Sequence, residues 1–286
     1  MPEKTIIITG SSGYLGSKIL SRCRRLGERN VIGLDFKNAD INLDLMDYKQ
    51  LVDIKNNFGQ IELVHLAGQL PGTDSSINLM NNSIQIVRNL VETLKPTRTL
   101  FISSTAVYPT ICIGKNLAPA PWEAYGCSKM AVENFLRENS SNFSIFRSGT
   151  MFDKNRTGGI QKLLTSGLLG KPVFIPKSGN IRHPFVSTSD VVESILYWID
   201  NPEFLNNEIS DLVASDPITL NALISKNSET KSRILNLPDF ARKFGSDSFP
   251  IFGISKWHIN ALYYDIAHQL KVSKSLEMKP MMNLFH

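Results

Sequence analysis

The chain has 286 residues, a length that suits one large domain or one domain with a smaller lobe. Its 31 basic and 26 acidic residues give a mild formal charge of +5 that is not bunched, which argues against nucleic-acid binding. Three cysteines without metal-like spacing indicate a reducing compartment and no metal site. No apolar run approaches the roughly 18 residues of a membrane span, and no signal-like segment opens the chain, so we expect a cytoplasmic protein with no membrane partner.

A glycine-rich turn follows an apolar, β-branched segment at residues 5–8. Glycines stand at Gly10, Gly13 and Gly16, and apolar residues then recur at helical spacing from Leu15 to Leu26. The glycines alone are equally compatible with a structural turn. A strand, a glycine turn and a helix in this order favour dinucleotide binding. Glycines have no side chain to keep a pyrophosphate away from the backbone, and the amides at the start of the helix face its negative charge.

The second predicted strand, residues 30–35, ends in Asp35, about 20 residues beyond the glycine turn. A carboxylate at this place accepts hydrogen bonds from both ribose hydroxyls of NAD, whereas a 2′-phosphate would meet like charge. Asp35 therefore favours NAD over NADP, although Lys37 close by weakens the preference. The alternative interpretation of Asp35 is a solvated loop carboxylate.

Further strands are predicted at residues 62–66, 98–103 and 143–147, with helices through residues 51–54, 82–95 and 124–138. Strands and helices that alternate on this scale predict an α/β fold with a doubly wound parallel sheet, a Rossmann domain. The small residues Ala67 and Gly68 follow the third strand and would let a cofactor lie against the backbone. His65 before them is interpreted as a packed core histidine.

Tyr125 and Lys129 are four residues apart on the predicted helix 124–138, so they share one helical face. An ammonium beside a phenol lowers the phenol's pKa, because the cation favours phenolate. Such a pair is common by chance. It gains weight here because the serine-rich strand end Ser103–Ser104 precedes it.

The pattern changes after the strand at residues 143–147. Residues 158–164 suggest a loop and a helix, 171–176 a short edge strand, 191–199 a helix, 217–224 a strand end with a helix, and 257–270 an amphipathic segment. We expect an NAD-binding domain at 1–150 and a smaller substrate lobe at 151–286, interleaved with the first domain and not independent of it.

Together the separated motifs resemble the extended short-chain dehydrogenase/reductases, the group of NAD-dependent nucleotide-sugar epimerases, dehydratases and reductases. The resemblance covers roughly residues 4–200. It is carried by Thr9-Gly10-x-x-Gly13-x-x-Gly16, Asp35, Asp44-Leu45, His65-Leu66-Ala67-Gly68, Ser103-Ser104 with Val107-Tyr108, Tyr125-x-x-x-Lys129, Gly170-Lys171-Pro172 and the segment from Arg182 to Val192.

The resemblance implies three catalytic residues: Ser104 to hydrogen-bond the reacting sugar oxygen, Tyr125 as general base or acid, and Lys129 to bind the nicotinamide ribose and depress the pKa of Tyr125. It also implies that Thr105 and Arg182 contact the nucleotide-sugar substrate, with Arg182 on its diphosphate. The cofactor-binding residues that it implies are Gly10, Gly13, Tyr14, Leu15, Gly16, Asp35, Asp44, Leu45, Leu66, Ala67, Gly68, Tyr125 and Lys129. A homodimer through helices at about 82–95 and 125–138 is the family's usual assembly.

Departures from the family pattern narrow the expected chemistry. Thr105 and Ala106 stand where the family's dehydratases carry Asp-Glu, and this disfavours dehydration. Ser83 stands where the family has an Asn, the loop from Tyr108 to Tyr125 is short, and residues 151–153 replace a common Tyr-Gly-Pro. Epimerisation and simple ketoreduction remain, and because Asp35 favours tightly held NAD we expect a 4-epimerase that works through a transient 4-keto sugar. The alternatives are an NAD(P)H-dependent reductase of 4-keto-6-deoxy nucleotide sugars and a non-catalytic dinucleotide-binding sensor or assembly protein.

Overall fold

The computed structural model describes residues 4–27, 30–68, 77–109, 118–121, 123–153, 172–176, 179–215, 218–227 and 234–237. The strands are β1 (Lys4–Thr9), β2 (Asn30–Asp35), β3 (Ile41–Asn42), β4 (Gln60–His65), β5 (Arg98–Ser104), β6 (Phe143–Ser148), β7 (Thr150–Phe152), β8 (Val173–Pro176), β9 (Arg182–His183), β10 (Phe185–Ser187), β11 (Glu208–Leu212), β12 (Ile218–Thr219) and β13 (Ile234–Leu237). The helices are α1 (Tyr14–Leu26), α2 (Tyr48–Asn57), α3 (Ile77–Leu94), α4 (Ala124–Asn139), α5 (Thr188–Asp200) and α6 (Leu220–Asn227).

Seven parallel strands form the main sheet in the order β11-β6-β5-β4-β1-β2-β3. This arrangement confirms the predicted doubly wound α/β fold. The chain reverses its direction of travel across the sheet between β1 and β4, and ligands of open α/β sheets bind at such a switch point beyond the carboxyl ends of the strands. The glycine turn after β1 and the small residues after β4 both lie there.

The central strands are apolar because both faces of the sheet are covered. Ile6, Ile7 and Ile8 of β1 are all buried, and neighbouring side chains along the strand serve opposite cores. Ile6 and Ile8 pack in a cluster with Trp198 of α5, whereas Ile7 packs with Leu90 of α3. Helices from both halves of the chain thus hold one sheet.

The strand β11 is a difference from the sequence-based expectation, which left residues 201–216 without an element. It pairs in parallel with β6 and forms the edge of the main sheet. Its sequence, Glu-Ile-Ser-Asp-Leu, carries two carboxylates in five residues and lacks the apolar run of the other strands. The helix α3 also begins earlier than predicted, at Ile77.

In the part of the chain predicted to form a second lobe, the described residues make three two-stranded sheets, β10 with β7, β12 with β9 and β13 with β8. They share a separate core that includes Phe152, Val173, Phe185 and Leu220. The predicted edge strand at 171–176 and the strand with a helix at 217–224 are confirmed as β8, β12 and α6. The predicted loop and helix at 158–164 and the amphipathic segment at 257–270 lie outside the described residues. The division at residue 150 stays a prediction.

Among the described residues, no helix has both the length and the apolar character that a membrane span requires.

We expect Gly16→Ala to destabilise the fold more than Gly27→Ala. A Cβ at Gly16 would lie 2.2 Å from the carbonyl oxygen of Gly10, so the start of α1 must move, at a cost of about 3 kcal/mol. At Gly27 nothing lies within 4 Å, and only the positive φ of 70° is strained, which costs about 1 kcal/mol. Thermal unfolding of the two variants measures the difference. Equal midpoints would contradict the close approach at Gly16.

Candidate active site

The glycine turn brings three pieces of backbone together at the switch point. Gly10 has a φ of +69°, and a Cβ there would lie 2.7 Å from the amide nitrogen of Ala67. A Cβ on Gly16 of α1 would lie 2.2 Å from the carbonyl oxygen of Gly10. No residue with a side chain fits either position, so the glycines hold the end of β1, the start of α1 and the end of β4 in contact.

The N-terminus of α1 is open toward this crevice. Its N-cap is Gly13, which has no side chain to bond the first-turn amides, and no acidic residue lies in the first turn. The helix begins at Tyr14, followed by Leu15. The first-turn amides and the positive end of the helix dipole suit an anionic group such as a pyrophosphate.

Asp35 lies where the sequence predicted, beside the glycine turn at the end of β2. Its carboxylate accepts hydrogen bonds from the amide and hydroxyl of Ser12, at 2.9 and 2.6 Å, and from the amide of Phe36 at 2.7 Å. A groove of about 650 Å³ runs beside it along α1. Three basic residues line the groove: Arg24, Arg25 and Lys37.

The loop after β3 presents Asp44 and buries Leu45. Asp44 is exposed and accepts a hydrogen bond from the amide of Met46 at 2.9 Å. Leu45 is only 7% exposed and packs in the core, so its side chain faces away from solvent. Asn89 of α3 fixes this loop, because its side-chain amide donates to the carbonyls of Leu45 and Met46, each at 3.2 Å. Sequence reasoning assigned Asn89 no role.

The end of β4 is organised by Thr9. Its hydroxyl oxygen accepts from the amides of Leu66 and Ala67, each at 3.3 Å, and its single proton therefore goes to Nδ1 of His65, 2.8 Å away. Burial, and then the charge of Lys129, lowers the pKa of His65 to about 3, so the ring is neutral with its proton on Nε2. The interpretation of His65 as a packed core residue is confirmed by its 2% exposure and its stacking on Phe101.

Lys129 of α4 reaches across β5 to the same crevice. Its ammonium donates to the carbonyl of Ile102 at 2.9 Å and lies 4.7 Å from the ring centre of Phe101 and 5.8 Å from that of Tyr125. A Cβ on Gly68 would lie 3.8 Å from this nitrogen. Burial lowers the pKa of Lys129 to about 8, and the charge of Glu133 opposes that change.

A cavity of about 270 Å³ opens between α3, α4 and the ends of β4 and β5. It joins the crevice at Lys129. Its lining includes His65, Ala67, Gly68, Asn82, Ser83, Phe101 and Lys129.

Ser104 and Tyr125 lie on adjoining segments. Ser104 caps a short 3-10 turn, Thr105–Val107, by accepting from the amide of Ala106 at 3.1 Å. The residue after Tyr125 is Gly126, and a Cβ there would lie 2.3 Å from the carbonyl oxygen of Ala106. The start of α4 therefore packs directly on the turn that follows Ser104. The second residue of α4, Tyr125, is partly exposed.

The two residues expected at the substrate lie in different surroundings. Thr105 is only 1% exposed, so its side chain is enclosed by protein. Arg182 is exposed on β9 in the second lobe.

Asp153 is a further residue at the crevice that sequence reasoning did not assign. Its carboxylate accepts from the hydroxyl of Tyr14 at 2.5 Å and pairs with the ammonium of Lys18 at 3.1 Å. The departure from Tyr-Gly-Pro at residues 151–153 was the signal available in the sequence. Asp153 ties the start of α1 to the segment that leads into the second lobe.

Comparison with known proteins places these features in a family. A model of the NAD dependent epimerase/dehydratase family matches residues 6–211. An ADP-L-glycero-D-manno-heptose-6-epimerase from Alkalilimnicola ehrlichii is 26% identical over 234 residues, which are 69% of this chain and 72% of that protein.

Solved structures share the fold over most of their length. UDP-glucose 4-epimerase from Thermotoga maritima, determined with UDP-glucose, has a TM-score of 0.71 at 18% identity, over 98% of this chain and 97% of that one. UDP-glucose 4-epimerase from Thermus thermophilus, determined with NAD, has a TM-score of 0.64 at 17% identity, over 90% and 98%. The family model covers well over half of the sequence, and the chain therefore belongs to the NAD-dependent epimerase/dehydratase family, as its motifs predicted.

Proposed function

We propose that this protein is a nucleotide-sugar 4-epimerase that holds NAD and works through a transient 4-keto sugar. The observation that carries the proposal is the ammonium of Lys129, held by the carbonyl of Ile102 and beside the ring of Tyr125, at the edge of the sheet where the glycine turn lies. Two similar solved structures are named as UDP-glucose 4-epimerases, which supports this reaction class.

The residues at the switch point suit a dinucleotide. The first-turn amides of α1, from Tyr14 onward, would hold the pyrophosphate. Asp35 would accept from the adenosine ribose, Asp44 would flank the adenine, and Gly68 would line the cofactor near its phosphates and ribose. The glycine contacts at Gly10 and Gly16 leave the backbone bare where a cofactor must approach it.

The side chains on α4 and β5 would remove the proton of the reacting hydroxyl and orient its oxygen. Tyr125 as phenolate would take this proton, and the cation of Lys129 favours that phenolate. Ser104 would hydrogen-bond the same sugar oxygen and orient it. Bound NAD supplies reversible acceptance of hydride from the sugar carbon. After the keto sugar turns over, Tyr125 would return the proton to the same oxygen as the carbon is reduced from its other face, which would invert that carbon.

Dehydration is disfavoured by the residues after Ser104. In the described structure Thr105 and Ala106 are buried, and neither side chain carries an acid that could protonate a leaving hydroxyl.

Arg182 would bind the diphosphate of the nucleotide sugar.

A second candidate, an NADPH-dependent ketoreductase, is favoured by one observation. The groove beside Asp35 carries Arg24, Arg25 and Lys37, and a cationic groove at this place suits a 2′-phosphate. Turnover without added reductant supports the epimerase, whereas a need for NADPH supports the reductase. A dinucleotide-binding protein that turns over neither substrate would be a sensor or assembly protein.

A cytoplasmic homodimer through α3 and α4 is part of the proposal. The two helices pack on each other, and Ile84 and Val91 of α3 remain only partly buried beside the core that they share with α4. Partly covered apolar side chains of this kind suit a helix-to-helix interface.

We expect Tyr125→Phe to lower kcat about 10²- to 10⁴-fold and to leave KM nearly unchanged, because only the proton acceptor is lost. The assay offers UDP-hexoses and ADP-heptoses, and NMR identifies the inverted carbon. The matched control is Tyr197→Phe, which removes a hydroxyl from a half-exposed tyrosine on α5. Inversion at C6 alone would contradict the 4-epimerase, and full activity of Tyr125→Phe would contradict the role of Tyr125.

We expect Asp35→Asn to weaken NAD binding about tenfold and to strengthen NADP binding, because a charged acceptor beside the ribose is lost. Calorimetric titration with both dinucleotides measures the preference. Asp53→Asn is the control, since this carboxylate is exposed on α2 and has no part in the proposed cofactor site. A wild-type protein that binds NADP more tightly than NAD would contradict the role given to Asp35.

A further inference from the structure

A buried carboxylate lies one helical turn beyond Lys129. Glu133 of α4 is only 1% exposed. It accepts from the hydroxyl of Ser103 at 2.5 Å, and Arg147 of β6 grips it with Nε at 3.1 Å and Nη2 at 2.6 Å. Ser103 directly precedes Ser104. One carboxylate thus connects the helix of Tyr125 and Lys129 to the strand end of Ser104.

The network continues through Arg147 to the edge of the sheet. Its Nη1 donates to the hydroxyl of Tyr108 at 2.9 Å, and that hydroxyl donates to Asp211 of β11 at 2.9 Å. Burial and then the charge of Asp211 raise the pKa of Tyr108 above its ordinary value, so the phenol stays protonated and keeps donating. The ends of β5, β6 and β11 are thereby fixed to α4.

The charge of Glu133 also acts on Lys129. Desolvation favours the neutral amine of Lys129, and the hydrogen bond to the carbonyl of Ile102 supplies no full negative charge. Glu133 opposes the desolvation because its anion favours the ammonium.

We propose that Glu133 is a positioning residue, which fixes the Ser103–Ser104 strand end against α4 and places a buried negative charge one helical turn from Lys129. The inference rests on the function proposed for Tyr125 and Lys129.

Other titratable groups near Lys129 do not replace Glu133. His65 of β4 is neutral at working pH because its pKa is lowered to about 3. Burial raises the pKa of the Cys127 thiol on α4, so this group is not an anion either. Further charged groups on the neighbouring described elements include Glu123 before α4, Arg137 and Glu138 near its end, Arg88 and Glu92 of α3, Glu62 and Arg98 at the amino ends of β4 and β5, and Arg147 and Asp211. Arg147 is held by Glu133 itself, and Glu133 is the anion that favours the ammonium of Lys129.

The variant Glu133→Gln tests the charge, and Glu62→Gln is its matched control. Glu62 is also a buried carboxylate, 4% exposed, held by two nitrogens of Arg98 at 3.0 and 2.9 Å. It lies at the amino ends of β4 and β5, away from the crevice. Both variants are expected to unfold at lower temperature than the wild type, because each leaves a buried arginine without its anion.

Only Glu133→Gln is expected to change the titration of Tyr125. The absorbance of tyrosinate, corrected with Tyr125→Phe, should appear at higher pH in Glu133→Gln and at the wild-type pH in Glu62→Gln. An unchanged titration in Glu133→Gln would overturn the inference.

The kcat profile gives a second readout. Lys129 is an ammonium below its pKa and loses this charge above it, so a lower pKa moves the alkaline decline of kcat to lower pH. If Glu133→Gln lowers the pKa of Lys129 by about one unit, kcat of the variant should be roughly fivefold below that of the wild type at pH ~8. The difference should largely disappear near pH ~6.5, and KM should be unchanged. A profile like that of Glu62→Gln would contradict the inference.

A second variant covers the case in which Glu133→Gln does not fold. Glu133→Asp keeps the charge but shortens its reach to Ser103, so kcat should fall while the tyrosinate titration stays near that of the wild type. A wild-type kcat in Glu133→Asp would overturn the positioning role. If the wild type converts no nucleotide sugar, the proposed function fails, and the tyrosinate titration still decides the role of Glu133.

Discussion

The contact between the glycine turn and the end of β4 is the constraint on which the rest of the site depends. A Cβ on Gly10 would lie 2.7 Å from Ala67, and one on Gly16 would lie 2.2 Å from Gly10. These approaches place the open N-terminus of α1 beside the strand end that Thr9 fixes through two amides. The crevice at the switch point of the sheet is the consequence, and the family's cofactor chemistry requires such a crevice.

The proposed reaction also requires a positively charged group in that crevice. Lys129 reaches it from α4 because β5 offers the carbonyl of Ile102 and because the buried anion of Glu133 opposes desolvation of the ammonium. Breaking a buried pair such as Glu133 with Arg147 costs several kcal/mol, so the position of α4 is strongly fixed. In the proposed mechanism, the carboxylate of this pair also acts on Lys129 and through it on Tyr125.

The sequence predicted the parts of the structure that local patterns encode. The glycine turn, Asp35 and the small residues after β4 are identified by residue type and spacing, and the parallel sheet follows from alternating strands and helices. The strand β11 was missed because two carboxylates interrupt its apolar pattern. One of them, Asp211, accepts a hydrogen bond from the buried hydroxyl of Tyr108. Contacts of Glu133 with Ser103 and Arg147 join distant segments through the order of strands, which no local window reveals.

The nucleotide that the purified protein carries tests the central claim most directly. A 4-epimerase returns its hydride to the sugar and does not consume NAD, so the dinucleotide should remain bound through purification. Mass spectrometry and absorbance of the nucleotide released by denaturation should therefore show NAD in a ratio of about one per chain. A protein that is empty after purification and binds NADPH more tightly than NADH would contradict the account and favour the ketoreductase.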